Sequence, residues 1–266
     1  MVRRLSCAFL LIVALLALFA GEVAPAGFAT QFREMPNSAP SRQHLLGTDD
    51  IGRDRFSRLI YGTRISLLLA PAAALLSTIL AALIGGLAGY LGGLWARCAV
   101  GFVDLFLSLP WLFLLIMVRG LLPLDVSPFV SVVVTFFILA VLGWAASARI
   151  LCAGAATLRQ SGFLLQARAS GLSGIRLFVV HVLPNLRPIL LAQFWISIPV
   201  FILSEANLGM LGLGVAEPMP SWGGLLREME GMLSLSEAPW KLAPLVLLIL
   251  VVSCFELALT KREFAI

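Results

Sequence analysis

Six long apolar stretches alternate with polar intervals: about Leu5–Ala24, Ile65–Leu91, Val100–Leu122, Phe129–Ala148, Ile189–Leu208 and Leu242–Leu259. A helix rising about 1.5 Å per residue needs about 20 apolar residues to cross a hydrocarbon layer about 30 Å thick. The pattern therefore predicts six transmembrane helices. Nearly all the charge falls in the intervals 27–64, 94–99, 123–128, 149–188 and 209–241. Arg3 and Arg4 before the first stretch, and Ala24-Pro25-Ala26 after it, fit either an uncleaved anchor over residues 1–26 or a cleavable signal peptide. Both send the chain outward, so the topology of the five later stretches is the same.

Composition narrows the class. Of 266 residues, 60% are apolar and 12% charged, with a mean hydropathy of +1.01. A soluble domain carries about 25% charged residues, and half of that cannot cover a water-facing surface. A soluble globular enzyme is excluded, as are disordered, collagen-like and disulfide-scaffold chains. The net charge of +5 comes almost wholly from arginine, which suits lipid headgroups and is no argument for nucleic acid. Cys7, Cys98, Cys152 and Cys254 sit in or beside apolar runs without paired spacing and read as small hydrophobes. Lysines and arginines divide almost evenly between the two sides. Arg149, Arg159, Arg168 and Arg176 nevertheless follow one another with no acidic residue between them, which favours that interval, and both termini with it, as cytoplasmic.

Inside the spans, Ala81, Gly85, Gly89 and Gly93 form a small-residue stripe at four-residue spacing, suited to close helix packing within the chain. Pro110 and Pro199 are expected to kink their helices. Asp104 is the most interior carboxylate; a centre-placed charge costs about 2.5–3.5 kcal/mol on insertion scales, so it either lines a path or anchors a buried hydrogen bond. Glu205 and Glu256 fall near span ends, within reach of water or headgroups.

The interval 149–188 is too long for a turn. Phe163–Leu172 reads as a short helix on which Ala167, Gly171 and Ile175 mark a bare face, Leu164 and Leu165 offer apolar knobs, and Arg168 and Arg176 project nearby. Such a helix either lies in a partner's groove or rests on lipid. Gly47-Thr48-Asp49-Asp50 followed by Gly52-Arg53-Asp54 is turn chemistry leading into an interfacial segment. There Phe56, Leu59, Ile60 and Tyr61 dip inward while Arg53, Arg55, Arg58 and Arg64 stay wet. Gly212, Gly214 and 218–223 form an ordered loop, with Trp222 as an interface anchor. His181, two residues before Leu183-Pro184, reads as a helix-start hydrogen-bonder, and His44 is too far from it in sequence and topology to share a metal or a triad. No catalytic constellation appears, and no phosphate-cradling G-x-x-x-x-G-K-[ST], so this chain is not expected to be an enzyme.

The segment FLLQARASGLSGIRLFVVHVLPN, 163–185, resembles the cytoplasmic loop of ABC importer permeases: an EAA triplet, three residues, a glycine, then His-x-Leu-Pro-Asn. Ala167, Arg168, Ala169, Gly171, His181, Leu183, Pro184 and Asn185 carry the match. Three further blocks resemble the C-type permease of dipeptide and oligopeptide importers: 44–67, Gly89–Gly93 with Asp104 and Pro110, and 204–226. The resemblance implies an all-α polytopic fold, six transmembrane helices with a cytoplasmic coupling helix, and a core over 65–266 preceded by an external loop at 27–64. It implies that Phe163, Leu164, Leu165, Ala167, Arg168, Gly171, Leu172 and Ile175 couple to an ATPase. Gly47, Thr48, Asp49, Gly52, Arg53, Asp54, His181 and Pro184 would be structural, and Asp104, Glu205, Gly212, Gly214 and Trp222 would line a translocation path or outer gate.

The implied partners are a second, similar permease subunit in a heterodimer, two ATPase subunits, an extracytoplasmic solute-binding protein and membrane lipid, in a bacterial inner membrane. No cofactor is expected on this chain, with ATP and Mg used by the ATPase subunits. The implied cargo is a di- or oligopeptide, with nickel or another small solute as the alternative. An ion-driven secondary transporter would want inverted repeats and several mid-span ionisable residues; a non-transporting scaffold is the other rival. Two departures stand out. The EAA triplet reads Leu165-Gln166-Ala167, without its glutamate, and Thr260-Lys261-Arg262-Glu263 stands in place of the Gly-Asp-Gly-Leu-Arg-like ending of relatives.

Overall fold

The computed structural model describes residues 2–123, 126–172, 174–229 and 238–259; the tail Thr260-Lys261-Arg262-Glu263 lies outside them. Among these residues the regular structure is helical: α1 (Val2–Leu18), α2 (Ala20–Val23), α3 (Arg55–Ala81), α4 (Leu87–Leu91), α5 (Gly93–Ser108), α6 (Trp111–Gly120), α7 (Pro128–Leu142), α8 (Trp144–Arg159), α9 (Gly162–Ala169), α10 (Gly174–Leu177), α11 (Leu183–Asn185), α12 (Arg187–Met210), α13 (Trp222–Arg227) and α14 (Ala243–Leu259). The chain is a polytopic helical membrane protein, as its apolar periodicity requires.

Four continuous helical stretches are long and apolar enough to cross a membrane: Arg55–Leu91, Pro128–Arg159, Arg187–Met210 and Pro239–Leu259. The pair α5 and α6, bent by 85° at a short break, makes a fifth if it counts as one span. The break has a local cause: Leu109 precedes Pro110 and is extended, at φ −88° and ψ 136°, because the proline ring disfavours helical geometry in the residue before it. The kink expected at Pro110 is thus a complete interruption, whereas Pro199 is carried inside α12. Over the expected first span lies α1, 17 residues and so about 26 Å, followed by the four residues of α2. It is not among the helices long and apolar enough to cross, so the described residues give four or five spans where six were expected.

The described residues form two compact units. The first comprises Met1–Ala70, Arg119–Phe136 and Pro199–Ile266, the second Pro71–Val118 and Phe137–Ile198. In the second unit, α4 and the π-turn Ala82–Gly86 lie against α8. Gly85 and Gly89 make this possible: a Cβ on either would stand 2.0 Å from the Ala148 carbonyl oxygen or 2.1 Å from that of Cys152. The small-residue stripe therefore packs within the chain at these two positions, while Gly93 faces open space. Tyr90, Trp144, Leu151, Leu164, Leu177, Phe178 and Leu186 fill the core around this contact. A second π-turn, Phe178–Val182, precedes Pro184. Proline lacks the N–H and crowds the carbonyl four residues back, so the ladder loosens just ahead of it.

In the first unit α1 packs along α14, and α3 starts at Arg55, well before the expected Ile65. Its N-cap is Asp54, whose Oδ2 accepts from the Ser57 backbone N–H and hydroxyl, both at 2.7 Å. The irregular chain ahead of α3 is tied by two isolated bridges, Gln31 to Arg53 and Thr48 to Asp54.

Candidate functional site

The segment 163–175, expected to couple to an ATPase, lies in the second unit and divides by side-chain direction. Leu164 is fully buried among Leu177, Phe178 and Val182, which makes it the anchor of α9 and not an exposed knob as the sequence suggested. Phe163, Leu165 and Ile175 point outward and are exposed. The bare face through Ala167, Gly171 and Ile175 does not form, because α9 ends at Ala169 and Ile175 belongs to α10.

The reason is a Schellman stop. Gly171, at φ +87°, donates to the Arg168 carbonyl at 3.0 Å, and Leu172 donates to that of Ala167 at 3.2 Å. Gly171 is thus required by backbone conformation, with open space where its Cβ would be. Ala167 and Leu172 then fold back onto the core as half-buried neighbours. The Arg168 guanidinium sits 5.6 Å from the Tyr90 ring centroid, and the Tyr90 hydroxyl donates to the Gly174 carbonyl at 3.0 Å. His181 lies in the π-turn and starts no helix; its carbonyl accepts from the Asn185 amide at 2.7 Å. Pro184 opens α11.

The same unit holds an unexpected ion pair. Asp104 on α5 and Arg149 on α8 meet at 2.8 Å, with their side chains 46% and 58% exposed. Arg149 is therefore part of the long helical stretch Pro128–Arg159 and not of a loop. It stands ten residues before Arg159, roughly 15 Å along the helix. Asp104 thus has a charged partner on α8.

In the first unit the 44–64 block and the 204–228 block build one polar cluster. Arg53 Nε donates to Asp49 Oδ2 at 2.5 Å and its Nη1 to Glu217 Oε2 at 2.5 Å. Arg58 Nη2 reaches Glu228 Oε1 at 2.6 Å and Glu217 Oε1 at 3.0 Å, and Arg55 Nη1 lies 3.6 Å from Glu228. Arg53, Arg55 and Arg58 are buried, which corrects the expectation that they stay wet; Arg64 alone of the four is exposed. Burial pushes the Glu228 carboxyl above the usual carboxylate range, against the pull of Arg58 and Arg55. Burial opposes the Arg53 charge too, but hydrogen bonds and attraction from Asp49 and Glu217 outweigh it and hold that guanidinium above its ordinary value.

The turn residues serve this cluster. Asp49 also accepts from the Ile51 and Arg53 backbone N–H groups, at 3.1 and 2.7 Å, and the Thr48 hydroxyl accepts from the Ser38 N–H at 2.9 Å while donating to the Met35 carbonyl. Asp54 receives His44 Nδ1 at 2.9 Å. At Gly47 and Gly52 a Cβ would meet the Ser38 and Phe32 carbonyls, so both are fixed by close approach.

Two residues expected at water or headgroups are interior. Trp222 is fully buried, its indole N–H donating to the Thr63 hydroxyl at 3.0 Å, so it anchors α13 to α3 and not the chain to an interface. Glu205 is fully buried and accepts from the Ser66 hydroxyl at 3.4 Å. Gly214 is buried with Gly209 where its Cβ would be, and Gly212 closes α12 with a second Schellman pair, Gly212 to Gly209 and Leu213 to Leu208. Beside them lies a cavity of about 500 Å³, lined among others by Arg119, Ser131, Gly212, Gly214 and Arg227. Sequence reading missed Arg119 and Arg227. Arg119 carried one usable signal, a lone arginine inside an apolar run.

Residues 81–260 match the family of binding-protein-dependent transport system inner membrane components. Over 206 residues the chain is 38% identical to a protein of Brucella suis whose name assigns it, provisionally, to the peptide permeases; the match covers 77% of this chain and 66% of that protein. It is 30% identical over 233 residues to the oligopeptide transport system permease protein of Bacillus subtilis, covering 88% and 74%. With the di/tripeptide transport system permease protein of Pseudomonas aeruginosa it shares 35% over 224 residues, covering 82% and 72%.

Proposed function

We propose that this chain, which belongs to the family of binding-protein-dependent transport system inner membrane components, is the membrane-spanning permease subunit of an ATP-driven importer of di- or oligopeptides. The peptide permeases among its relatives supply the substrate class. In this reading it pairs with a second, homologous permease subunit, receives cargo from an extracytoplasmic solute-binding protein, and is driven by two ATPase subunits that use ATP and Mg. It carries no phosphate-cradling loop of its own. The termini and α9 face the cytoplasm, and the polar cluster of the 44–64 and 204–228 blocks faces outward.

The observation that carries the coupling role is the construction of α9. It is pinned from beneath by Leu164, stopped by Gly171, and presents Phe163 and Leu165 outward, with Ile175 of α10 exposed after it. An apolar surface on a short, rigidly held helix suits a groove on a partner, with Leu165 supplying area where the motif's glutamate is absent. ATP-driven closure of the ATPase pair then moves this helix and rocks the spans between outward- and inward-open states. The Asp104–Arg149 pair is placed by the same reading on the face turned to the second permease or the water-filled path. Lipid contact there would leave two charges in hydrocarbon.

Purification of the tagged chain with its neighbouring gene products tests the reading. Co-purification of an ATPase subunit, with ATP turnover raised by binding protein and peptide, is the expected result. Absence of an ATPase partner refutes it, and stimulation by nickel in place of peptide refutes the substrate class.

A further inference from the structure

We infer that the cavity lined by Arg119 and Arg227 is a subsite for the terminal carboxylate of the peptide in transit. The inference rests on the peptide-importer reading. Arg119 is the anomaly: its side chain is 1% exposed and its Nε has no hydrogen-bond partner. Its other nitrogens make only long bonds to neutral oxygens, Nη1 to the Pro123 carbonyl at 3.3 Å and Nη2 to the Ser131 hydroxyl at 3.4 Å. No carboxylate lies within ion-pair distance of it among the described residues. A buried guanidinium without an anion is costly, and among the described residues no anion compensates it, which makes it a receptor for an anion supplied by a ligand.

The acids in the same lining do not supply it. Glu217 and Glu228 are engaged by Arg53, Arg55 and Arg58. Arg227 likewise forms no ion pair among the described residues, and its guanidinium lies so close to Gly212 that a Cβ there would stand 2.8 Å from Nη1. Two uncompensated arginines therefore line one cavity of about 500 Å³, within the size range of small-molecule pockets. Asp50, exposed and also without an ion pair among the described residues, lines the same space and offers an anion for the terminal ammonium. A short zwitterionic peptide matches this set; a neutral solute does not.

The test uses the assembled transporter in lipid nanodiscs without binding protein, and equilibrium dialysis of radiolabelled Ala-Ala and Ala-Ala-amide. Ala-Ala is expected to be retained more strongly than its amide. Arg227→Gln, at an exposed position, and Arg119→Gln each weaken Ala-Ala retention about tenfold, the scale of one charge-assisted hydrogen bond, while Arg227→Lys keeps most of it. Equal retention of acid and amide, or an Arg227→Gln transporter that binds Ala-Ala as the parent does, overturns the inference. So does an Arg227→Gln transporter that retains Ala-Ala but loses stimulation of ATP turnover by the binding protein alone, since the cations then receive a carboxylate of that partner. Should no ATPase co-purify, the importer reading itself fails; should a peptide-stimulated complex show no preference for the acid, only this inference does.

Discussion

Replacing Gly85 by alanine tests the contact on which the second unit is built. The added Cβ would stand 2.0 Å from the Ala148 carbonyl oxygen, 2.6 Å from its carbon and 2.7 Å from its Cα. All three are backbone atoms of α8, so no side chain can swing aside. Restoring ordinary contact at about 3.4 Å means moving one helix by about 1.4 Å, which also loosens Gly89 on Cys152 and the packing of Tyr90 and Trp144 nearby. Overpacking of this kind costs about 1–3 kcal/mol, toward the upper end where backbone must yield. For a chain of this size that corresponds to a fall of roughly 2–12 °C in thermal midpoint. The control is Gly101→Ala in α5, where a Cβ meets nothing within 4 Å and the better helix former adds stability. Midpoints of the purified protein in detergent, followed by tryptophan fluorescence, read both variants. A Gly85→Ala protein as stable as its parent would mean that the π-turn Ala82–Gly86 and α8 do not meet as described.

Leu165→Lys, at an exposed position on α9, leaves the fold intact, introduces a charge the motif does not carry there, and lowers ATPase affinity about 30-fold or more if Leu165 is a hot spot of that contact, read by co-purification. It is a cleaner probe than Gly171→Arg, which strains a residue at φ +87° whatever the partner does. Arg58→Met removes the cation from Asp49, Glu217 and Glu228 together and is expected to cost about 3–5 kcal/mol, seen as loss of folded protein in the membrane. The Glu228 carboxyl is raised in the folded state, so its share of stability is present below its unfolded value of 4.5 and lost as pH rises through the folded value. The thermal midpoint of Glu228→Gln should accordingly fall less than the parent's between acid and neutral pH. Asp104→Asn and Arg149→Gln should each reduce uptake more than the two together, because either single change strands a charge among apolar helices; additive losses would argue against coupling.

Much of this architecture was readable from periodicity, because a membrane forces apolar length on every crossing segment. The long helices α3, α5, α6, α7, α12 and α14 overlap the predicted stretches, and the glycine stripe found its contact inside the chain. What periodicity could not supply was the direction in which a polar side chain turns once the helix is packed. Arg53, Arg55 and Arg58 read as wet because arginine clusters usually are, yet their acids lie more than 150 residues away in Glu217 and Glu228. Trp222 read as an interface anchor for the same reason, and its partner Thr63 is equally distant in sequence. The segment 163–172 was legible as a helix but not in its end, since the Gly171 stop depends on φ and not on residue period.

The arginine–carboxylate cluster of the first unit also separates sensitivity from function. Arg53, Arg55 and Arg58 against Asp49, Glu217 and Glu228 make a neutral set, formed from two blocks that the sequence keeps far apart. Any single change there strands a charge and damages the protein, even though the set as a whole has no charge left for a ligand. Loss of transport in such a variant would therefore say little about substrate contact. Arg119 and Arg227 differ in kind: they are cations of the same unit that this set leaves uncompensated, and they share a cavity. A substitution there should act through the charge of the cargo, and a peptide differing only at its terminal carboxyl is the reagent that tells the two cases apart.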